Sequence, residues 1–416
     1  MLFERSEPEK GQCGSGMASF SINLTSQWLA TLYTAAVSLG LTFILGRVLG
    51  PDGFGSYSYI LTIATLFFIL QDGGFKTLLF REKTLPSEAL KSYEDRLFSW
   101  ALGHSAMTTV AGAFFVWVIP SQYRLGIVAA VICFGFQAVV NFISSELRAK
   151  GLFPRDAMWQ AMVRTSGAAG ILLGMFLVTP VPWIIFTGWS FGLLVCLLLS
   201  PRPVPRPLFG GFRIRDIRKP CMYLMAIDAA TTVYFRCDII LLERLAEPAL
   251  VGYYAAAYRF LDGVVLLAAP LSVIWFRKLR IVWKDEKTFW AQIGWMSMIM
   301  LAASVLIIAA GSLFSREIMV LTFGDKYMDS ARLLPWLLGA LIFLLPNGIL
   351  TQAAIARNRE RVYAVAAGAG AVLNIGLNLF LIPEFGGFGA AWATIVTEAF
   401  LTGALIFGLR TSGSGG

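Results

Sequence analysis

Arg236, Asp238, Arg259 and Asp262 fall inside two neighbouring runs of otherwise apolar sequence, 221–242 and 252–275. A charged side chain in such surroundings costs about 3 kcal/mol, so it marks substrate or ion handling by default. The spacing of three puts Arg259 and Asp262 one turn apart on one helical face. A structural reading competes: Asp238 pairs with Arg259 across the hairpin, Arg259 with Asp262 along the helix, and the four charges sum to zero. Arg164 lies about two turns inside the run 157–178, where it either meets a substrate or snorkels to the interface. Glu398, mid-way along 388–408, is too deep to snorkel. It reads either as a protonatable coupling group, like Asp262, or as a neutral carboxyl bonding a neighbouring helix. Asn374 and Asn378, a turn apart, suit bonds between helices.

Other chemistries lack their parts. A single histidine, His104, rules out a multi-histidine metal site and reads as a packing residue. Cys13, Cys133, Cys196, Cys221 and Cys237 form no CxxC and read as small packing residues. No P-loop, G-x-S-x-G elbow or dinucleotide fingerprint is present, so no hydrolase, ATPase or cofactor-dependent chemistry is expected.

The elements that hold these residues are membrane helices. Apolar residues make up 57% and charged residues 14% of the chain, against about 25% charged in soluble domains. Twelve segments approach the roughly 20 apolar residues a spanning helix needs: 25–46, 54–71, 97–119, 125–145, 157–178, 183–200, 221–242, 252–275, 289–312, 331–350, 363–382 and 388–408. Of 34 Lys and Arg, 25 lie at the termini or in loops after even-numbered spans, and five in loops after odd-numbered ones. The positive-inside rule then puts both termini in the cytoplasm. The net charge of +9 thus reads as topology rather than as a nucleic-acid surface. Charged stretch 72–96 reads as a solvated loop, and Trp183, Trp275 and Trp290 as an interfacial belt.

LGRVLGPDGFGSY at 45–57 returns as LERLAEPALVGYY at 242–254. A shift of 197 residues lays Leu45, Arg47, Pro51, Gly55 and Tyr57 on Leu242, Arg244, Pro248, Gly252 and Tyr254. Turn composition alone would supply some of these matches, but both copies sit between long apolar runs. Each reads as a helix end, a Pro/Gly connection and a return helix. Six spans per half is even, so the halves insert with the same sense, as parallel repeats with a cleft between them. The same shift lays Leu39, Leu41, Thr62 and Thr65 on the four charged residues, so the second half is charged where the first is neutral. The expected division is a disordered cytoplasmic tail at 1–20, with Met17 an alternative start, and bundles at 21–200 and 221–410. A stiff Pro-rich linker at 201–220 and a flexible end at 411–416 complete it. The clustered glycines 167, 170 and 174, and 368, 370 and 376, read as packing or as hinges.

RVLGPDGFGSYSYILTIATLFFILQDGGF (47–75), RCDIILLERLAEPALVGYYAAAYRF (236–260) and VLNIGLNLFLIPEFGGFGAAWATIVTE (372–398) resemble, in order, bacterial polysaccharide exporters of the O-antigen flippase type. These belong to the multidrug/oligosaccharidyl-lipid/polysaccharide (MOP) superfamily. The resemblance implies an all-α integral membrane fold of two six-helix bundles around a central cavity, working by alternating access. It also implies a polyprenyl-pyrophosphate-linked oligosaccharide as substrate, moved across the bacterial inner membrane. Arg236, Asp238 and Arg259 would face the cavity, with Arg164 a further contact. Membrane lipid is an expected partner, with a polysaccharide polymerase and glycosyltransferases acting on the same glycan. A cation-coupled exporter of small organic molecules is the alternative on this scaffold. A membrane polymerase or ligase would need a larger outer loop than 313–330.

Overall fold

The computed structural model describes the backbone of residues 12–83, 91–200 and 214–411, with side chains over 25–80, 96–200 and most of 221–411. Residues 1–11 and 412–416 of the expected tails, 201–213 of the linker and 84–90 of the loop lie outside the described residues, as does Met17 as a start. The described secondary structure is helical, with no strand.

Helix α1 (Gln12–Asp72) breaks at Gly50, where φ is 69° and ψ 178°, into arms 12–49 and 51–72. Glycine takes this left-handed backbone without penalty, and Pro51 then opens the second arm, where its missing N–H is not needed. The second copy of the motif does the same: α7 (Ile214–Leu245) ends, Glu247 is extended, and Pro248 starts α8 (Pro248–Val282). Between them lie α2 (Phe75–Lys83), α3 (Lys91–Val118), α4 (Arg124–Ala149), α5 (Phe153–Leu177) and α6 (Pro182–Leu198). Beyond α8 come α9 (Glu286–Leu313), α10 (Ser315–Thr322), α11 (Met328–Gly339), α12 (Leu341–Ala356) and α13 (Glu360–Thr411), the last broken at Gly386. Among the described residues seven helices are long and apolar enough to cross a membrane. The breaks in α1 and α13 divide these into nine segments, and α5, α6 and α7 lie where the sequence puts the remaining three spans.

Four expectations change. Residues 12–20 and 214–220 are helical rather than tail and linker. Part of the loop 72–96 is α2, which packs on α4 through buried Phe75, Leu78 and Leu79. The span 331–350 is two helices, α11 and α12, joined at Ala340. Trp275 is buried rather than at an interface.

The arms of α1 pack with α3 to α6 to make one bundle; α7 to α9 and α11 to α13 make the other. In the first, α5 and α6 touch backbone to backbone: a β-carbon on Gly170 would lie 2.1 Å from the Gly188 carbonyl oxygen, and one on Gly192 2.1 Å from that of Ser166. Without a hydrophobic drive in lipid, such close approach supplies the association. Glycines 167, 170 and 174 are therefore packing residues, whereas Gly368 and Gly376 have open space beside them.

The bundles meet where α1 packs on α7 and α8. At one end, called here the turn end, the two copies of the repeated motif touch. A β-carbon on Gly252 would fall 2.0 Å from the Pro51 carbonyl oxygen, so only glycine lets α8 lie there. The sequence's outer loop 313–330 is folded over this contact as α10, a 3-10 turn (Asp325–Tyr327) and the start of α11. Arg47 Nε donates to the Thr322 carbonyl at 2.9 Å, and its terminal nitrogen to that of Leu321, capping α10. Tyr327 Oη donates to the Gly46 carbonyl at 2.8 Å. Phe323 meets Phe43 and Phe54 edge-on at 5.3 and 5.6 Å, and Phe43 stacks on Phe260 of α8 at 6.2 Å. Tyr123, in the connection before α4, donates to Glu243 of α7 at 2.5 Å. Burial, and the Glu243 carboxylate beside it, push the Tyr123 phenol up, which keeps its proton in that bond.

On the first arm of α1, Leu41 and Leu45 are buried and Leu29, Leu32 and Tyr33 exposed; on α8, Val251 and Leu261 are buried and Leu266 and Leu267 exposed. The seam between the bundles is closed at the turn end by the contacts above.

Candidate functional site

The sequence's charged residues sit on the α7–α8 side of that seam. Asp262 is shared: its Oδ2 lies 3.6 Å from Arg236 and 3.4 Å from Arg259. Arg236 also lies over the Tyr258 ring, 5.9 Å from its centre. The side chains of Arg236, Arg259 and Asp262 keep 28%, 18% and 37% of their exposure, unusual for groups far from a helix end. Arg259 Nε is buried with no hydrogen-bond acceptor among the described residues. A guanidinium in this state is an incomplete anion site: donors in place, one carboxylate serving two cations.

Asp238 does not join them. It is buried; its Oδ1 accepts the Ile239 amide at 2.8 Å and its Oδ2 accepts Tyr254 Oη at 2.5 Å. The pairing of Asp238 with Arg259 read from the sequence is thus replaced by a tyrosine bond, because Tyr254 on α8 reaches the same carboxylate first. The pairing of Arg259 with Asp262 is present. Beside Asp238, Cys237 Sγ donates to Asn374 Oδ1 at 3.1 Å. Asn374 Nδ2 donates to Thr397 at 3.2 Å, and Asn378 Nδ2 to Asn374 Oδ1 at 2.9 Å. This string ties α7 to both arms of α13.

Asp238, held by Tyr254, still feels the charge of Arg236, but Asp262 is the ion-pair partner that the two arginines share. Arg164 adds to this from the first bundle. Tyr57, buried in the first bundle, feels the charge of both Arg164 and Arg259. Arg164 has no hydrogen bond or ion pair among the described residues. It lines a polar recess of about 380 Å3 in the first bundle rather than reaching an interface.

Glu398 lies apart, buried on the second arm of α13. Its Oε2 accepts Asn347 Nδ2 of α12 at 2.7 Å, and Thr402 donates to Asn347 Oδ1 at 2.7 Å. Of the two sequence readings for Glu398, the bond to a neighbouring helix has its partner in place. His104 Nε2 is 2.8 Å from the Leu70 carbonyl and is a satisfied packing residue. Among the described residues no cluster of three metal-ligating side chains occurs.

Sequence reasoning missed the tyrosines. Tyr57 and Tyr254 occupy matching places in the repeated motif and were read as marks of the repeat, with no partner assigned to either. Their partners differ: Tyr254 meets Asp238, while the place of Asp238 in the first half holds Leu41. The repeat itself carried the signal.

A family model described as "Polysaccharide biosynthesis protein" matches residues 22–276. No curated protein matches the chain. Among solved structures, one described as "Lipid II flippase MurJ, inward closed conformation" is similar over 92% of this chain and 87% of its own, at TM-score 0.72 and 14% identity. An inward-facing multidrug resistance MATE family transporter of the MOP superfamily is similar over 94% and 99%, at TM-score 0.65 and 11% identity. The Vibrio cholerae MATE transporter VcmN is similar over 95% and 98%, at TM-score 0.62 and 12% identity.

Proposed function

Because the chain belongs to the polysaccharide biosynthesis protein family, with the fold of MOP transporters and many membrane-crossing helices, we propose that it is a flippase. Its substrate is a polyprenyl-pyrophosphate-linked oligosaccharide, such as an O-antigen or lipopolysaccharide repeat unit. It carries the glycan from the cytoplasmic to the outer leaflet of the inner membrane.

The observation that carries this reading is the pair Arg236 and Arg259 sharing one carboxylate, Asp262, with Arg164 unpaired in the first bundle. A pyrophosphate offers several anionic oxygens in the arrangement that guanidinium groups bind with two bonds at a time. Its arrival frees Asp262 from both arginines and fills the unused Nε of Arg259. The polyprenyl tail stays in lipid while the glycan passes along the seam. The turn end is the outer face on the charge asymmetry of the loops, both termini are cytoplasmic, and bundles 21–200 and 221–410 rock about the linker 201–220. Asp262 and Glu398 are the candidate groups through which an ion gradient biases direction. Asp238 supports α8 instead of touching the substrate. Glycosyltransferases would supply the substrate and a polymerase would consume it; the chain itself catalyses no bond change.

Deletion of the gene tests the reading. Lipid-linked glycan should accumulate on the inner face of the membrane, and surface polysaccharide should fall. Normal surface polysaccharide together with a lost drug-efflux activity would overturn it in favour of a small-molecule exporter.

A further inference from the structure

The recess beside Arg164 is lined largely by polar side chains. It lies between α1, α4, α5 and α6, and Thr34, Gln137, Asn141, Gln160 and Trp189 line it along with Arg164. Its volume of about 380 Å3 is at the small end of the ~300–1,000 Å3 range of ligand pockets. Gln137 Nε2 donates to Asn141 Oδ1 at 3.1 Å, and Gln160 Nε2 to Asp156 Oδ2 at 2.7 Å. Those bonds fix the amides and leave Asn141 Nδ2, Gln137 Oε1 and Gln160 Oε1 without partners among the described residues. None of the three is among the buried unbonded atoms, so they remain open to the recess. Polar groups at membrane depth with no partner are costly unless water or a ligand meets them. Trp189 supplies a flat apolar wall, held by Phe134 edge-on at 5.8 Å and Phe186 stacked at 6.3 Å.

We propose that this recess is a subsite for an uncharged sugar ring, with Arg164 in its lining as a contact for the pyrophosphate. A pyranose has one face of C–H groups and a rim of hydroxyls that donate and accept. An indole wall and fixed amides that offer both a donor and acceptors match those two features. The charged residues lining the recess are Arg148, paired with Asp156 at 3.5 Å, and Arg164, unpaired. The unpaired Arg164 suits an anionic group and the amides a neutral one. A sugar joined to a phosphate offers both. The inference rests on the lipid-linked glycan reading and adds to it where the first sugar sits and which half reads it.

Native mass spectrometry of the full chain in detergent tests it, with bare polyprenyl pyrophosphate and the same lipid carrying one hexose or one N-acetylhexosamine. At least one glycosylated probe should bind about tenfold more tightly than the bare lipid, since amides left unpaired by the bare lipid penalise it. Asn141→Ala with Gln160→Ala should erase that gain and leave the bare lipid's affinity unchanged. Trp189→Phe, a milder change, should reduce the gain and remove any Trp189 fluorescence shift caused by the sugar. Equal binding of bare and glycosylated lipids, or a gain that survives both variants, overturns the subsite and leaves the flippase reading standing. Binding of neither lipid overturns the flippase reading and the subsite with it.

Discussion

The two bundles share a motif and a way of turning but have divided the polar work between them. The second holds its charges at the seam: Arg236 and Arg259 around Asp262, with Asp238 set back against Tyr254. The first keeps leucine and threonine at the matching places and puts amides and an indole into a recess, with Arg164 its unpaired charge. Duplication therefore fixed the frame, the turns and the contact of Gly252 on Pro51, while each copy was free to change what it shows to the cleft. A symmetric cavity would bind a symmetric ligand. This one suits a molecule with an anionic end and a neutral end.

Substitutions that weigh one half against the other sharpen this contrast. The largest effect is expected from Arg236→Gln with Arg259→Gln, which should lower glycan translocation about 100-fold, as each charge-assisted contact accounts for roughly tenfold or more. Arg164→Gln should lower it about tenfold. Equal losses for the double and the single variant would break the claim that charge recognition is concentrated in the second half. Next come the paired tyrosines. Tyr254→Phe leaves Asp238 Oδ2 buried without its donor and should cost about 1–3 kcal/mol of stability, visible as a lower unfolding temperature in detergent. Tyr57→Phe, with no such carboxylate, should stay within about 0.5 kcal/mol. A smaller effect is expected at Glu398. Asn347→Ala should cost about 1 kcal/mol, the scale of a polar bond between membrane helices. Glu398→Gln keeps an acceptor for Asn347 and should leave stability unchanged. Loss of gradient dependence in that variant would make Glu398 a coupling group as well as a structural one. Smallest, Arg47→Ala should loosen α10, read as a modest rise in hydrogen exchange of the α10 amides. Unchanged exchange would show that the aromatic cluster holds α10 by itself.

Much of this was legible in the sequence because lipid makes its demands locally. A span must be long and apolar, and a reversal needs Gly or Pro, so the twelve crossings and the breaks at Pro51 and Pro248 could be read directly. The same reasoning exposed Arg236, Arg259 and Asp262, since a charge in an apolar run carries a penalty that stands out. It failed where the deciding contact is distant. Helix α2 is short and carries charge, and only the surface of α4 makes it a buried element. Asp238 looked like the partner of Arg259 because charges attract charges, yet the nearest donor is a phenol sixteen positions away on the next helix. The amides of the recess carry no charge and so raised no flag. Gln137 and Asn141 are on α4 and Gln160 on α5, and no sequence period links them to Trp189 on α6.

The shared carboxylate has one more consequence. A carrier of this kind must return empty, and an empty site with bare guanidinium groups would have to drag solvent or a stray anion back with it. On the proposed cycle, Asp262 is a resident counter-ion that steps aside for cargo and steps back on its release. The unloaded protein then swings through the bilayer with one of its two clustered positive charges already compensated.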